Sequence, residues 1–281
     1  MNKQVLENLA NRARLQPEAI AVLLQLNEGV NPAAEEIMRQ AVAAYEQDVN
    51  FDYEGYRSRL ENFDNADGLI MLFVFRLAEH LHTLYLESGR GEEMFENVLR
   101  DFGAKVRECY DYTGEWGIRV AKWYNRWFNL ERIALSRLQF EVRTFGDTYA
   151  GLTPEDLAIN VHIPSIGPLD EQMCEADYQA AAEFFGEQFG ERIPFMCHTW
   201  LLNPQHPDFL PPHSRLRPFQ AKYEIFKFHE HTEFLWRLFG TEYNGDPNSL
   251  TERNSLERAY KAHILAGGKV GEGKGVFFLY K

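Results

Sequence analysis

Apolar residues recur at helical spacing up to about residue 130 and at strand spacing in short runs beyond it. The segment that opens at Pro17 carries Ala19, Ile20, Leu23, Leu24 and Leu26 and stops at Gly29, which predicts a helix begun by a proline in its first turn. Asn31-Pro32 restarts the pattern as an N-cap followed by a first-turn proline, predicting a second helix to about Asp48. A third is expected over Asp67–Glu87, stopped by Ser88-Gly89, and a fourth from Gly91 to about Tyr110. Within the third, Gly68–Leu77 is almost wholly apolar but contains Arg76, and it falls short of the ~20 residues that span a bilayer. It reads as a buried core helix. Ile118, Val120, Trp123, Trp127 and Phe128 predict a last helix over Trp116–Leu130.

The period then changes to two. Leu138–Val142 alternates as a half-buried strand does, and Ala158–Pro164 puts Ile159, Val161 and Ile163 on one face with Asn160 and His162 on the other. A helix is expected from about Asp170 to Phe189, with Ala176, Ala180, Phe184 and Phe185 on one side. Phe195–Leu202 reads as a further strand. Strand, helix and strand at these lengths imply locally parallel pairing. Phe219–Phe228 is compatible with a helix running into a strand, which periodicity does not settle. Thr232–Phe239 and Glu252–Ala266 read as helices, and Gly275–Tyr280 as a terminal strand. The fold class is α+β: an all-helical domain over 1–130 followed by a smaller α/β domain over 131–281 with a mixed sheet.

Composition narrows the function. Twenty-nine basic against 42 acidic residues leave a net charge of −13, which excludes a sequence-independent nucleic-acid binder and adhesion to anionic lipid. No apolar stretch resembling a secretory signal follows Met1, and the three cysteines are too scattered for a disulfide framework or a zinc site. A soluble, cytoplasmic protein with no membrane partner is expected.

The turn Pro164-Ser165-Ile166-Gly167-Pro168-Leu169 ends a strand and opens a helix, so it offers backbone N–H groups to a phosphate, or is a plain connector. Neither a GxGxxG nor a GxxxxGK[ST] motif is present. His229-Glu230-His231, with His206 and His213 upstream, admits a metal reading, but Lys227, Glu230 and Glu233 favour an exposed connector and no metal is expected. Cys197 and His198 are adjacent on a strand and point to opposite faces, which argues against a nucleophile pair. Trp116, Trp123, Tyr124, Trp127 and Phe128 form either a pocket wall or core.

The runs RLQFEV, AINVHIPSIGPL, FMCHTWLLNP and SLERAYKAHILAGGKVGEGKGVFF resemble the GNAT-like C-terminal domain of two-domain bacterial acyltransferase-domain proteins, and the helical half is similar to their N-terminal domain. The resemblance implies a GNAT fold and acyl-CoA, acetyl or longer, as donor in transfer to a small-molecule acceptor, an amine, by direct attack on the thioester. It implies that the strand ending at Ile163 and the turn with Ser165, Ile166, Gly167 and Leu169 hold the CoA pyrophosphate. Here Ser165–Leu169 departs from the family's R/Q-x-x-G-x-G/A loop, and Pro168 has no donor. The second reading is therefore a ligand-binding protein that keeps the fold without catalysis. For a base, His162 and His198 stand on adjacent predicted strands, and Glu141 on the opening strand is the alternative. Tyr223 or Tyr260 could protonate the leaving thiolate. Acceptor, acyl length and oligomeric state are not readable from the residues.

Overall fold

The computed structural model describes residues 1–281. It divides into two compact units, Met1–Leu135 with Pro164–Ile166, and Ser136–Ile163 with Gly167–Lys281.

The first unit is helical: α1 (Lys3–Arg12), α2 (Pro17–Gly29), α3 (Pro32–Gln47), α4 (Tyr53–Leu60), α5 (Ala66–Glu87), α6 (Gly91–Thr113) and the short α7 (Asn125–Phe128). The caps act as their residue types require, with the Asn31 side chain accepting from the Ala33 N–H at 2.9 Å. Helix α5 is central. Every residue from Gly68 to Ala78 is buried, because α1, α2, α3, α4 and α6 all pack on it. By length and composition its 22 residues could cross a bilayer, which the apolar run alone did not convey, yet 67% of its most apolar window is buried in the unit. Arg76, which interrupts that run, is itself buried and donates to Glu35 Oε2 at 2.6 Å.

Two helices, α1 and α4, were not expected, and one expected helix is absent. Trp116–Leu130 forms only a single turn at Lys122–Tyr124 followed by α7. Gly114, at φ 79°, ends α6, and the Ile118 N–H then bonds Asp67 O at 2.9 Å. Gly117 lies so close to Asp67 that a Cβ would meet its backbone carbon at 2.6 Å. The segment is thus pinned to the start of α5 and cannot coil. Tyr124, Trp127 and Phe128 are core, whereas Trp123 is exposed.

Strand β1 (Arg132–Ala134) closes the first unit. In the second unit, β2 (Gln139–Thr144), β3 (Leu157–His162), β4 (Arg192–Thr199), β5 (Glu224–Glu230) and β6 (Gly271–Tyr280) lie in the order β2-β3-β4-β6-β5. The sheet is mixed: β3 and β4 are parallel, joined through α8 (Glu171–Phe185), and the other neighbours are antiparallel. Short helices α9 (His206–Phe209), α10 (Leu216–Ala221), α11 (Leu235–Phe239) and the longer α12 (Ser255–Leu265) complete it. The ambiguous Phe219–Phe228 segment resolves into α10 followed by β5.

Helix α8 covers one sheet face through Tyr178, whose ring meets Phe140, Phe195 and Phe277 at 6.1, 5.7 and 4.9 Å. Its inward face is Cys174, Asp177, Tyr178, Ala181 and Phe185, not the expected alanines, and Phe184 is exposed. The rotation follows from Asp177. Its carboxylate accepts from the N–H groups of Ser136, Arg137 and Leu138 at 3.1, 2.7 and 2.7 Å, so a charged residue had to face inward.

Candidate functional site

Strands β3 and β4 pair only at Ile159↔Phe195 and Asn160↔Met196, although β3 runs on to His162 and β4 to Thr199. Beyond Asn160 they part. Within the opening, the Cys197 thiol donates to the Val161 carbonyl at 3.3 Å, and burial pushes that thiol well up. Cys197 is therefore a packed core group. Burial also raises the Cys109 and Cys174 thiols to about 11, so none of the three is a ready thiolate.

The register places Glu141 opposite Asn160 and Gln139 opposite His162. By strand alternation Glu141, Asn160, His162 and His198 share the sheet face opposite α8. Glu141 is buried, and its Oε1 lies 3.1 Å from His162 Nε2 and 3.4 Å from Asn160 Nδ2. Asn160 Nδ2 is in turn 2.9 Å from the same imidazole nitrogen. A carboxylate at Nε2 favours a proton there, whereas the Asn160 amide as oriented presents an N–H to the same atom; a proton on Nε2 requires that amide to turn its oxygen to the ring, and Nδ1 of a neutral His162 is then the basic atom. The imidazole keeps 30% of its side-chain surface exposed, so solutes can reach it. Gln139, at the same level, has a buried Nε2 with no partner.

His198 shares the face but has its own carboxylate. Its Nε2 and that of His231 each lie 3.6 Å from Glu272 Oε2. Burial lowers the His198 pKa, opposed by Glu272 and reinforced by Lys274, His229 and His231. The HxH rings of His229 and His231 do fall on one side, with centroids 5.2 Å apart. Even so, no group of three His, Cys, Asp or Glu side chains could hold a metal ion. His206 is fully buried with its Nε2 at 2.5 Å from the Tyr260 hydroxyl. Both tyrosines considered as acids, Tyr223 and Tyr260, are buried, and desolvation holds their hydroxyls protonated.

After Ile163 the turn is shaped by residues the sequence did not single out. Arg137 donates from Nη2 to Gly167 O at 2.9 Å and from Nε to Pro168 O at 2.8 Å. Because a trans peptide sets C=O and the next N–H in opposite directions, the Leu169 N–H points away from Arg137. The N–H groups of Ser165, Ile166, Gly167 and Leu169 make no hydrogen bond within the protein. Ser165 and Gly167 are exposed, Ile166 is half-buried and Leu169 is buried. Carboxylates are also present: the Ser165 hydroxyl donates to Glu108, which also pairs with Lys105, and Asp170 caps α8 by accepting from the Met173 N–H at 3.0 Å. The signal that could have found Arg137 and Asp177 is slight, since a lone charge beside a strand more often reads as solvated.

A family model described as the GNAT-like C-terminal domain matches residues 133–277, and one described as the N-acyltransferase N-terminal domain matches 4–130. No curated protein matches the chain. Among solved structures, the chain is similar to an acyltransferase in complex with decanoyl-CoA and teicoplanin, at 20% identity and TM-score 0.76, over 97% of this chain and 87% of that one. The same scores, over 96% and 86%, relate it to an acyltransferase in complex with decanoyl-CoA. A further acyltransferase structure, with CoA and 10C-teicoplanin, is 19% identical with a TM-score of 0.75 over 96% and 86%. At such identity the likeness establishes the fold.

Proposed function

Because the chain belongs to the family that joins an N-acyltransferase N-terminal domain to a GNAT-like C-terminal domain, we propose that it is a CoA-dependent N-acyltransferase. The donor is an acyl-CoA and the acceptor a small molecule bearing an amine. The decanoyl-CoA and teicoplanin held by the solved relatives support an acyl-CoA donor and a small-molecule acceptor. The observation that carries the reading is the buried Glu141 carboxylate at 3.1 Å from His162, beside the place where β3 and β4 part.

In this reading Glu141 holds the Nε2 proton of His162, and Nδ1 removes a proton from the acceptor nitrogen as it attacks the thioester carbonyl. An N–C bond forms, the C–S bond breaks, and the proton passes on to the CoA thiolate. His198, beside Glu272, is the alternative base. The unbonded N–H groups of Gly167 and Leu169, in the turn that follows Ile163, receive the pyrophosphate. Pro168, which has no N–H, and the Asp170 carboxylate favour a second reading, a ligand-binding protein without turnover.

The test is CoA release from decanoyl-CoA across a panel of amines. His162→Ala is expected to lower kcat by about 10²–10⁴-fold with little change in the KM for the donor. Glu141→Gln is expected to cost less and to move the acidic limb of the pH profile. If His198→Ala carries the kcat loss and His162→Ala does not, the base is reassigned. Donor binding without turnover on any amine would leave the second reading, and no donor binding would sink both.

A further inference from the structure

Between the start of α8 and the segment ahead of α10 lies a cleft of about 240 Å³, with Leu169, Asp170 and Glu171 on one side and His213, Ser214 and Arg215 on the other. Pockets that take a whole ligand are commonly ~300–1,000 Å³, so this one suits the end of a long molecule. Its chemistry is set by which groups are already engaged. Asp170 is occupied by the α8 cap. Throughout this unit the lysines and arginines have partners, as Lys222 has Glu175, Lys274 has Asp147 and Arg137 has the Gly167 and Pro168 carbonyls. Arg215 is the exception: it makes no hydrogen bond, ion pair or ring contact. His213, next but one, is also without a partner and exposed. The Ser214 oxygen accepts from the Leu216 N–H at 3.4 Å, which leaves its proton free to donate.

A guanidinium, an imidazole and a hydroxyl, all able to donate and none committed, match a phosphate monoester. The opposite wall pairs the apolar Leu169 with the Glu171 carboxylate, which suits the flat face and exocyclic amine of a purine. The cleft begins at Leu169, where the turn proposed for the pyrophosphate ends. The part of an acyl-CoA that lies beyond its pyrophosphate is a phosphorylated adenosine.

We propose that this cleft binds the phosphoadenosine end of the donor, with Arg215 and His213 on the ribose phosphate; this rests on the acyl-CoA reading above. Arg215 thereby makes the protein select CoA over dephospho-CoA, which lacks only that phosphate. The test is calorimetric titration of the full chain with both compounds. CoA is expected to bind about tenfold or more tightly than dephospho-CoA, the scale of a charge-assisted Arg–phosphate contact. In Arg215→Ala the preference disappears while the affinity for dephospho-CoA is kept, which also shows that the variant is folded. Arg215→Lys retains part of the preference. Equal affinities in the unsubstituted protein, or an Arg215→Ala loss shared by both ligands, would overturn the assignment and leave the donor reading intact. If neither compound binds, it is the donor reading that fails.

Discussion

His206 has no exposed surface, and burial pushes its imidazole pKa down to about 4. In the unfolded chain the same group titrates near ~6.5. Between those values the unfolded state holds a proton that the folded state does not, so stability present above about pH 6.5 is lost as the pH falls towards about 4. We expect the urea midpoint to drop on acidification over this window. His206→Phe should start lower near neutrality, because the Tyr260 hydroxyl loses its partner, but should fall less steeply. The difference between the two slopes should approach about 2–3 kcal/mol across the window. Parallel curves would show that His206 is not the group that titrates. Little of this is legible from residues alone. Strand alternation tells which side chains share a face, and it did put Asn160 and His162 together. It does not tell what covers that face, so the burial of the Glu141 carboxylate was not readable from the strand.

Strand β6 shows what the family-like run KVGEGKGVFF requires physically. A Cβ at Gly273 would lie 2.0 Å from the Leu202 carbonyl oxygen, and one at Gly271 would lie 2.1 Å from that of His229. At Gly275 it would meet Tyr223 Cβ at 2.9 Å. The alternate glycines let the turn at Trp200–Leu202 and the neighbouring strand approach β6 more closely than any side chain permits. Gly273→Val is therefore expected to cost about 3 kcal/mol or more, whereas Gly190→Ala, with open space around it, should stay within about 0.5 kcal/mol. Chemical denaturation of the two variants checks this, and similar midpoints would refute the packing account. Elements with a strong local signal, such as α2, α3, α5 and the β3-α8-β4 crossover, were readable. Trp116–Leu130 was not, because its conformation is dictated by the Ile118 bond to Asp67 and by the tight approach at Gly117. The face of α8 was misread for the same kind of reason: Asp177 is polar by type and inward by function, held by three backbone N–H groups distant in sequence.

At the scale of the whole molecule, the two compact units have separate hydrophobic clusters, one around α5 and others around Phe234–Tyr260 and Phe145–Val276. Two cores of this kind need not melt together. A calorimetric scan of the full chain is expected to resolve two transitions, and Gly273→Val should lower the one that belongs to the sheet unit. That assignment gives the ligand experiment its meaning. The proposed base at His162, the N–H groups of Gly167 and Leu169, and the Arg215 cleft all lie in the sheet unit. A donor at ~100 times its dissociation constant stabilises the state that binds it by about 2.7 kcal/mol. For a unit of this size that corresponds to about 5–10 °C. Decanoyl-CoA should therefore raise the transition that Gly273→Val lowers. A rise confined to the other transition would move the donor site to the helical unit and remove His162 from the chemistry, even if acyl transfer were observed.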